Sequence, residues 1–403
     1  MRIAYVTADN GIPVFGTKGA SIHVREMVNA FATMGHEVTV VAAQRGGPES
    51  TIHADIVDVC ADVPPTLESQ LKGEDKVRAK ETRSLRISTA VGNRIVELHA
   101  QRRFDLIYER YSLFSSAGVE VAKRLGIPCI VEVNSPLVQE QKKYRKLFYQ
   151  TQAEAVEAHL LGNADVIVAV SEQIKTYVES KGASPACTHV VPNGVDIKRF
   201  HPSVAPEPIA APDDAYVVGF AGSLKPWHGV EVLLDAFRNI AHDNQNAHLL
   251  IVGDGPLRQW VEGFAHGANI DNRVTVTGWI AYERLPALIQ SMSVAVAPYP
   301  ELDDFYFSPL KLYEYMAAGR AIVASRIGEI AAVLGEGDSG MLVPPGDVPA
   351  LAATVEQLLD DGALRKRLGA KARARAVRHH GWDAVLQRIL DPLTAQLPAD
   401  GVH

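Results

Sequence analysis

The sequence is short of cysteine, of long apolar runs and of positive charge, and each shortage excludes a class of protein. Three widely spaced cysteines among 403 residues, Cys60, Cys129 and Cys187, form neither a disulfide framework nor a metal cluster, which indicates a reducing compartment. No apolar run approaches the roughly 20 residues of a membrane span, and the apolar start of the chain is too short for a signal peptide. With 40 basic against 47 acidic residues the net charge is −7, which disfavours general nucleic-acid binding. We therefore expect a cytoplasmic protein without a nucleic-acid partner.

What is present is an alternation of strands and helices, in two successive sets. Apolar residues make up 47% of the chain and charged residues 22%, and 403 residues exceed one ordinary core, so we expect a globular enzyme of two domains. Each set repeats strand, loop and helix, which implies a parallel sheet. The predicted fold is α/β, with two doubly wound Rossmann-like domains at 1–204 and 215–380 and a proline-rich linker at 205–214. The predicted strands are 2–8, 37–42, 105–108, 129–133, 165–170, 216–222, 248–253, 274–278, 294–297 and 321–324, and the first helix is 21–34.

The most informative stretch runs from Ser308 to Arg320 and leads into an apolar strand. It predicts a short helix with one acid, Glu314, in its first turns. Helix N-termini carry unpaired N–H groups and about half a positive charge, so they attract phosphate. A carboxylate just inside such a helix accepts hydrogen bonds from the hydroxyls of a sugar. Phosphate and diol together indicate a nucleotide and favour a nucleotide-sugar.

Four loops stand out, and three of them follow predicted strands, where doubly wound sheets bind their ligands. We expect a site in the cleft between the two domains. The loop Gly16–Ser21 is either an ordinary strand-to-helix turn or an anion-binding loop to which Lys18 adds charge. The loop Gly222–Gly229 contains Lys225, a candidate phosphate ligand. The other two loops are typical of structural turns, Gly253–Pro256 and Pro192–Asp196.

Together and in this order, these segments resemble the retaining GT-B glycosyltransferases of family 4, the glycogen-synthase-like and mannosyltransferase-like group. The resemblance covers nearly the whole chain and includes the further segments 35–40, 278–280 and 340–347. It implies a hexosyltransferase that needs neither metal nor cofactor. The C-terminal domain would bind the nucleotide-sugar donor and the N-terminal domain the acceptor, and a final helix over 381–397 would pack back on the first domain.

The resemblance also implies roles for individual residues. Glu314 would accept hydrogen bonds from the ribose, and the backbone amides around Ser308, Leu310 and Lys311 would hold the diphosphate. The amide of Gly19 would reach the distal phosphate, and the strip 278–280 would line the base pocket. The residues predicted to bind the donor are Lys18, Gly19, Ala20, Gly222, Ser223, Lys225, His228, Gly253, Gly278, Trp279, Ile280, Tyr306, Ser308, Pro309, Leu310, Lys311 and Glu314, and the catalytic candidates are Lys225, Glu132 and Asn134.

Three positions depart from the family pattern. A glutamate that contacts the donor sugar in the family falls on Tyr306 here. The phosphate-binding arginine and lysine of the family fall on Ser223 and His228. His228 would stabilise phosphate only if protonated, and is otherwise an ordinary histidine at a helix start. A first-domain histidine of the family falls on Asn134. These departures concern the sugar and the catalytic details more than the nucleotide site.

Two further features have two readings each, and two aspartates have one. Glu132, at the end of a strand, either touches a sugar or is a satisfied buried carboxylate. The basic segment 141–149 either attracts anionic lipid or a phosphorylated acceptor or, as we favour, forms a solvated helix face. Asp303 and Asp304 are the candidates to replace the missing glutamate, although their register is poor.

The sequence therefore predicts retaining transfer of a sugar from a nucleotide-diphosphate donor, with UDP as the default nucleotide, to a small-molecule, glycan or lipid-linked hydroxyl acceptor. Two alternatives stay open. One is a nucleotide-sugar-binding protein without transferase activity, and the other is a nucleotide-sugar epimerase of the same architecture. Peripheral contact with the inner face of the membrane and the oligomeric state are also open.

Overall fold

The computed structural model describes residues 1–48, 51–63 and 70–396. The chain divides into two compact units, one of Met1–Pro192 with the C-terminal segment from Trp382, the other of Asn193–Gly381. The sequence placed the boundary at 204 and a linker at 205–214, and both lie inside the second unit. The side chain of Phe200 explains the earlier boundary, since it is fully buried in the core of the second unit.

The first unit is a parallel sheet of seven described strands in the order β3-β2-β1-β4-β5-β6-β7. The order reverses between β1 and β4, which makes the carboxyl ends of these two strands the expected ligand crevice. Its elements are β1 (Arg2–Thr7), α1 (Gly19–Thr33), β2 (Glu37–Ala42), β3 (Asp55–Asp58), α2 (Gly73–Gln101), β4 (Leu106–Arg110), α3 (Ala117–Leu125), β5 (Cys129–Val133), α4 (Leu137–Tyr144), α5 (Gln150–Asn163), β6 (Val166–Ala169), α6 (Glu172–Ser180) and β7 (Thr188–Val190). The last helix of the chain, α14 (Trp382–Gln396), buries Leu386 and Ile389 in this unit's core.

The second unit is a parallel sheet of six described strands in the order β10-β9-β8-β11-β12-β13. Here the order reverses between β8 and β11. Its elements are β8 (Tyr216–Ala221), α7 (Val230–Asp243), β9 (Ala247–Val252), α8 (Arg258–Gly267), β10 (Val274–Val276), α9 (Leu285–Gln290), β11 (Val294–Ala297), α10 (Leu310–Ala317), β12 (Ala321–Ser325), α11 (Ile330–Val333), β13 (Met341–Val343), α12 (Val348–Asp360) and α13 (Gly362–His379).

The prediction of two doubly wound α/β domains is confirmed. Every predicted strand is present, with ends that differ by up to two residues. Three described strands were missed, namely β3, β7 and β13, and all three lie at a sheet edge. Edge strands need no continuous apolar run, because only part of their surface is covered. Nine of the ten predicted strands lie inside a sheet, which covers both of their faces, whereas β10 is a half-buried edge strand.

One buried carboxylate in the first unit serves the fold. Glu109 on β4 is fully buried and accepts hydrogen bonds from the amides of Gly118 (3.0 Å) and Val119 (3.3 Å) and from the hydroxyl of Ser115 (3.1 Å). These donors belong to the start of α3, so the carboxylate fixes that helix on the sheet. Burial raises the pKa of Glu109 to about 7.

Glu109→Gln should therefore stabilise the protein at alkaline pH. A carboxyl group with a folded pKa above its unfolded value contributes stability below the unfolded value, and that contribution is lost as the pH rises through the folded pKa. The amide keeps an acceptor for the α3 amides and never ionises. Urea unfolding at pH 8 should show the variant more stable than the wild type by about 1–3 kcal/mol, and the gain should vanish near pH 4.5. A gain that is the same at both pH values would contradict the assignment.

Candidate active site

Helix α10 in the second unit carries the central residues of the predicted donor site. It begins after Pro309, and no side chain caps that end by a hydrogen bond. The helix is buried along nearly its whole length, from Lys311 to Ala317. An uncapped helix N-terminus at the carboxyl side of a parallel sheet is suited to bind an anion.

The segment before α10 is fixed by Asn193. Its backbone N–H donates to the Ser308 hydroxyl at 3.0 Å, and its side-chain amide donates to the Ser308 carbonyl at 2.7 Å. The Ser308 hydroxyl also lies 2.9 Å from the hydroxyl of Tyr313. The turn at 192–196 was predicted to be structural. It is a positioning element for the approach to α10, which the sequence did not indicate.

Glu314 is the acid predicted to bind ribose. Its side chain is 6% exposed, and its Oε1 accepts a hydrogen bond from the Tyr282 hydroxyl at 3.0 Å. Tyr282 follows the predicted base strip 278–280 by two residues, so this bond ties the strip to α10. Tyr282 was missed, because no spacing in the sequence relates it to Glu314.

Lys311 is the most unusual residue of α10. Its side chain is 8% exposed, and its Nζ has no hydrogen-bond partner among the described residues. The ammonium lies 3.9 Å from the ring centroid of Phe220 and 5.5 Å from that of Tyr299. Burial lowers the pKa of Lys311 to about 7, although the Glu314 carboxylate acts in the opposite direction. The family resemblance implied a role only for the backbone amide of this residue.

Two glycines bring the loops after β8 and β9 into direct contact. Gly222 and Gly253 both have positive φ, at 146° and 144°. A Cβ at Gly253 would lie 2.0 Å from the carbonyl oxygen of Gly222, so no other residue fits there. Gly253 also pairs with Gly278 in an antiparallel bridge. The structure thus brings together the predicted loop and the predicted base strip, with Trp279 exposed beside Gly278.

His228 is neutral in this loop. Burial, and then the nearby Lys311 charge, lower its pKa to about 3. Its Nδ1 lies 2.6 Å from the carbonyl oxygen of Ser223, which can only accept, so Nδ1 carries the proton. The other nitrogen, Nε2, is then an acceptor. Nε2 can therefore accept a hydrogen bond from a sugar hydroxyl but cannot donate one to a phosphate oxygen. The protonated imidazole that phosphate binding would require is not formed near pH 7.

Lys225 is half-buried, and its ammonium lies 4.9 Å from the ring centroid of the exposed Trp227. Among the candidates for the donor sugar, Asp303 is exposed, whereas Asp304 and Tyr306 are half-buried. A role for either aspartate in place of the missing glutamate stays a prediction, as does the donor role of the half-buried Ile280 and Pro309.

The first unit places Lys18, Gly19 and Ala20 at the start of α1. Lys18 is the residue before the helix, and its ammonium donates to the carbonyl of Gly11 at 3.0 Å. A pocket of about 700 Å³ opens beside this turn. Its lining comes from the loops after β1, β2 and β3 and includes Thr17, Lys18, Ser21, Arg45, Asp58 and Cys60.

A cluster of buried charges lies at the carboxyl ends of β4 and β5. Glu132, which is 2% exposed, receives a hydrogen bond at 2.7 Å from Nε2 of His23, itself 3% exposed. Arg110 is the strand partner of Glu132, and its Nη1 lies 3.7 Å from Glu132 Oε2, beyond hydrogen-bond distance. Burial would raise the pKa of Glu132, but His23, Arg110 and Asn134 outweigh it and hold the pKa below its usual range. Glu132 is therefore an ionised buried carboxylate.

Several buried polar atoms of the same cluster have no hydrogen-bond partner among the described residues. Tyr5 and Tyr108 are fully buried and stack with ring centroids 5.2 Å apart. The Tyr5 hydroxyl and the Arg110 Nε have no hydrogen-bond partner among the described residues. Buried polar groups rarely stay unpaired, so this region is suited to a polar ligand. His23 and Arg110 were missed, because α1 shows only an apolar spacing and Arg110 lies beyond the end of the predicted strand 105–108.

The basic segment 141–149 does not form one helix face. Helix α4 ends at Tyr144, and Lys142 and Lys146 are paired with Glu154 and Glu74. Contact of this segment with lipid or a phosphorylated acceptor stays a prediction. Within the described residues, no helix combines the length and hydropathy that crossing a membrane requires. Over the same residues, no group of three or more His, Cys, Asp or Glu side chains is arranged to hold a metal ion.

Two family models match the chain, one in each half. Residues 17–199 match the model described as glycosyltransferase family 4, and residues 215–361 match that of glycosyl transferases group 1. A glycogen synthase of Mycobacterium tuberculosis is 25% identical over 394 residues, which cover 96% of this chain and 92% of that protein.

Two solved structures have the same fold over almost the whole chain. A sucrose-phosphate synthase from Thermosynechococcus elongatus superposes with a TM-score of 0.72 at 23% identity, covering 98% of this chain and all of the other. HepE of Anabaena, solved in complex with UDP and glucose, superposes with a TM-score of 0.71 at 19% identity, with the same coverage.

The two doubly wound sheets have the GT-B fold of these structures, and with the two family models they define a glycosyltransferase of the GT-B class. The chain belongs to glycosyltransferase family 4, as the resemblance predicted. It is a glycosyltransferase that uses a nucleotide-sugar donor. Neither the epimerase nor the binding protein without activity is favoured.

Proposed function

We propose that the protein transfers a hexose from a UDP-sugar to a hydroxyl acceptor with retention of the anomeric configuration, and that it needs neither a metal ion nor a cofactor. The observation that carries the donor site is the position of Glu314. Its buried carboxylate lies on the helix whose uncapped N-terminus follows Ser308. Phosphate bound at the helix end and ribose bound at Glu314 would place one nucleotide along α10.

The loops around α10 support the rest of the donor site. A Cβ at Gly222 would collide with the ammonium of Lys311 on α10, and a Cβ at Gly253 would collide with the carbonyl oxygen of Gly222. The strip at Gly278, bridged to Gly253, would line the base. Uridine is the proposed base because HepE, a protein of the same fold, was solved with UDP. The neutral His228, with Nε2 as an acceptor, would bind a hydroxyl of the donor sugar.

In the proposed reaction the bond between the sugar C1 and the diphosphate oxygen breaks, and its electron pair goes to that oxygen. The acceptor oxygen bonds to C1 on the face that the diphosphate leaves, and the acceptor proton passes to a phosphate oxygen. The protein then needs no general base. Lys225 and the amides at 308–311 would stabilise the leaving diphosphate.

We propose that the first unit binds the acceptor. The pocket of about 700 Å³ beside Lys18 has room for a sugar-sized molecule. The ionised Glu132 would accept a hydrogen bond from an acceptor hydroxyl beside the attacking one, and Asn134 would support the orientation of the acceptor. A small molecule, a glycan and a lipid-linked sugar all carry such a hydroxyl, so the acceptor class is left to screening.

The donor site is tested by comparing the binding of UDP with that of an analogue whose ribose lacks the 2′- and 3′-hydroxyls, in the wild type and in Glu314→Gln. Hydrogen bonds to a charged group contribute about 1.5–3 kcal/mol each, so the wild type should bind UDP about 10–100-fold more tightly than 2′,3′-dideoxy-UDP. The variant should lose most of this preference in calorimetric titrations. Glu283→Gln, a change of an exposed glutamate next to Tyr282, is the matched control. Equal preference in the wild type and in Glu314→Gln would remove Glu314 from the site.

A further inference from the structure

Lys311 on α10 carries a buried ammonium, and the role inferred for it below rests on the proposed function. Burying an ammonium group raises the free energy of the folded state unless the group is paired. This one is 8% exposed, has no hydrogen-bond partner among the described residues, and rests on the ring of Phe220 at 3.9 Å. Favourable contact with an aromatic face compensates only part of that cost. A role in the fold alone would be served as well by methionine or leucine.

The position of the ammonium points to an anion. Lys311 is the second residue of α10, so its side chain and the helix N-terminus share one end of the element. A Cβ at Gly222 would lie 2.7 Å from Nζ, and Gly222 is the first residue of the loop after β8. The ammonium therefore lies between the glycine loop and the helix end, the two features to which the proposed function assigns the diphosphate. The flexible four-carbon stem allows it to turn toward a bound anion.

The loop itself is poor in positive charge. The positions at which the family carries an arginine and a lysine are Ser223 and His228, and His228 is neutral because burial and Lys311 lower its pKa to about 3. Lys225 is the cation that remains in the loop. A leaving nucleoside diphosphate held by one lysine and backbone amides would be less stabilised than the family pattern implies.

We propose that the ammonium of Lys311 binds the diphosphate of the nucleotide-sugar and stabilises the nucleoside diphosphate as it leaves. Lys311, which lies on α10, supplies the positive charge that the arginine and lysine of the loop supply in the family pattern. No bond to the lysine forms or breaks, and the electron pair of the broken sugar–oxygen bond stays on the diphosphate.

Proton uptake on binding follows from this arrangement. Burial lowers the pKa of Lys311 to about 7, so at pH 8 most molecules carry a neutral amine there. A bound diphosphate favours the charged form, and the terminal phosphate of UDP, with a pKa of about 6, is already ionised. The titratable groups nearby are Glu314 and Tyr315 on α10, Tyr299 after β11, and His228 and Lys225 in the loop. Burial moves the tyrosine pKa values upward and that of His228 downward, away from pH 8.

The test is calorimetric titration of the full-length protein at pH 8 with UDP, GDP, ADP, CDP and TDP in buffers of different ionisation enthalpy. The wild type should take up close to one proton with the nucleotide that binds best and none with the matching nucleoside. Lys311→Met should lose this uptake and at least tenfold in affinity. Without nucleotide it should melt at a higher temperature than the wild type at pH 7, because the buried charge is gone. Lys371→Met, which changes an exposed lysine, should behave as the wild type.

The outcomes separate the inference from the proposed function. If no nucleoside diphosphate binds the wild type, the proposed function fails, and the inference fails with it. If one binds without proton uptake, and with equal affinity in Lys311→Met, the donor site stands and the inference is wrong. If the variant does not fold, the wild type decides: proton uptake on binding supports the role of Lys311, and binding without proton uptake overturns it.

Discussion

Glu132→Gln should lower turnover by about 10²–10³-fold while leaving the affinity for the nucleotide unchanged. The carboxylate is ionised in a buried setting, held at Oε1 by His23 and faced by Arg110 at Oε2. We propose that it accepts a hydrogen bond from an acceptor hydroxyl beside the attacking one and so positions the attack. A hydrogen bond to a charged group contributes about 1.5–3 kcal/mol, and a misplacement of the reacting group by about 1 Å can cost about 100-fold in rate. The amide keeps the shape of the side chain but loses the negative charge that faces His23 and Arg110.

The matched control is Glu109→Gln, a second buried carboxylate on the neighbouring strand. Glu109 is used by the fold, through Ser115, Gly118 and Val119, and takes no part in the proposed reaction. Its variant should keep wild-type turnover. Release of nucleoside diphosphate is measured with the donor and acceptor found by screening, in the presence of EDTA because we propose no metal. Wild-type turnover in Glu132→Gln would leave Glu132 as a structural carboxylate.

Lys225→Ala should lower turnover about 100-fold or more and leave the fold intact. Removing one preorganised donor to a developing negative charge typically costs about 3–4 kcal/mol of transition-state stabilisation. The side chain is half-buried and contacts the exposed Trp227, so its loss opens no cavity in the core. The melting temperature is the control for folding, and Lys366→Ala, a change of an exposed lysine in the same unit, is the control for charge. Turnover close to that of the wild type would remove Lys225 from the mechanism.

Much of the fold could be predicted because the central strands are buried on both faces. Val294–Ala297 and Ala321–Ala324 are apolar without interruption, and such runs between helical patterns indicate a parallel sheet. The edge strand at Thr188–Val190 is three residues long and includes a histidine, so nothing in its pattern separates it from a loop. Phe200 could not be assigned to the second unit, since its burial depends on contacts made elsewhere in the chain.

The site residues also divide into those that local sequence patterns reveal and those that only the fold reveals. Glu314 and the glycine loops could be named, because helix ends and glycine-rich turns are local patterns. The partners that set their chemistry are not local. His23 meets Glu132 across 109 positions, and Asn193 meets Ser308 across 115. A lysine at the second position of a helix is typical of a solvated side chain, so the burial of Lys311 had no signal in the sequence.

The central claim is that one nucleotide lies along α10, and a crystal structure of the protein with UDP tests it most directly. The account predicts the ribose O2′ or O3′ within about 3.2 Å of a Glu314 carboxylate oxygen, with the diphosphate at the amides of residues 308–311. Electron density for UDP elsewhere in the second unit, or a ribose turned away from Glu314, would contradict it.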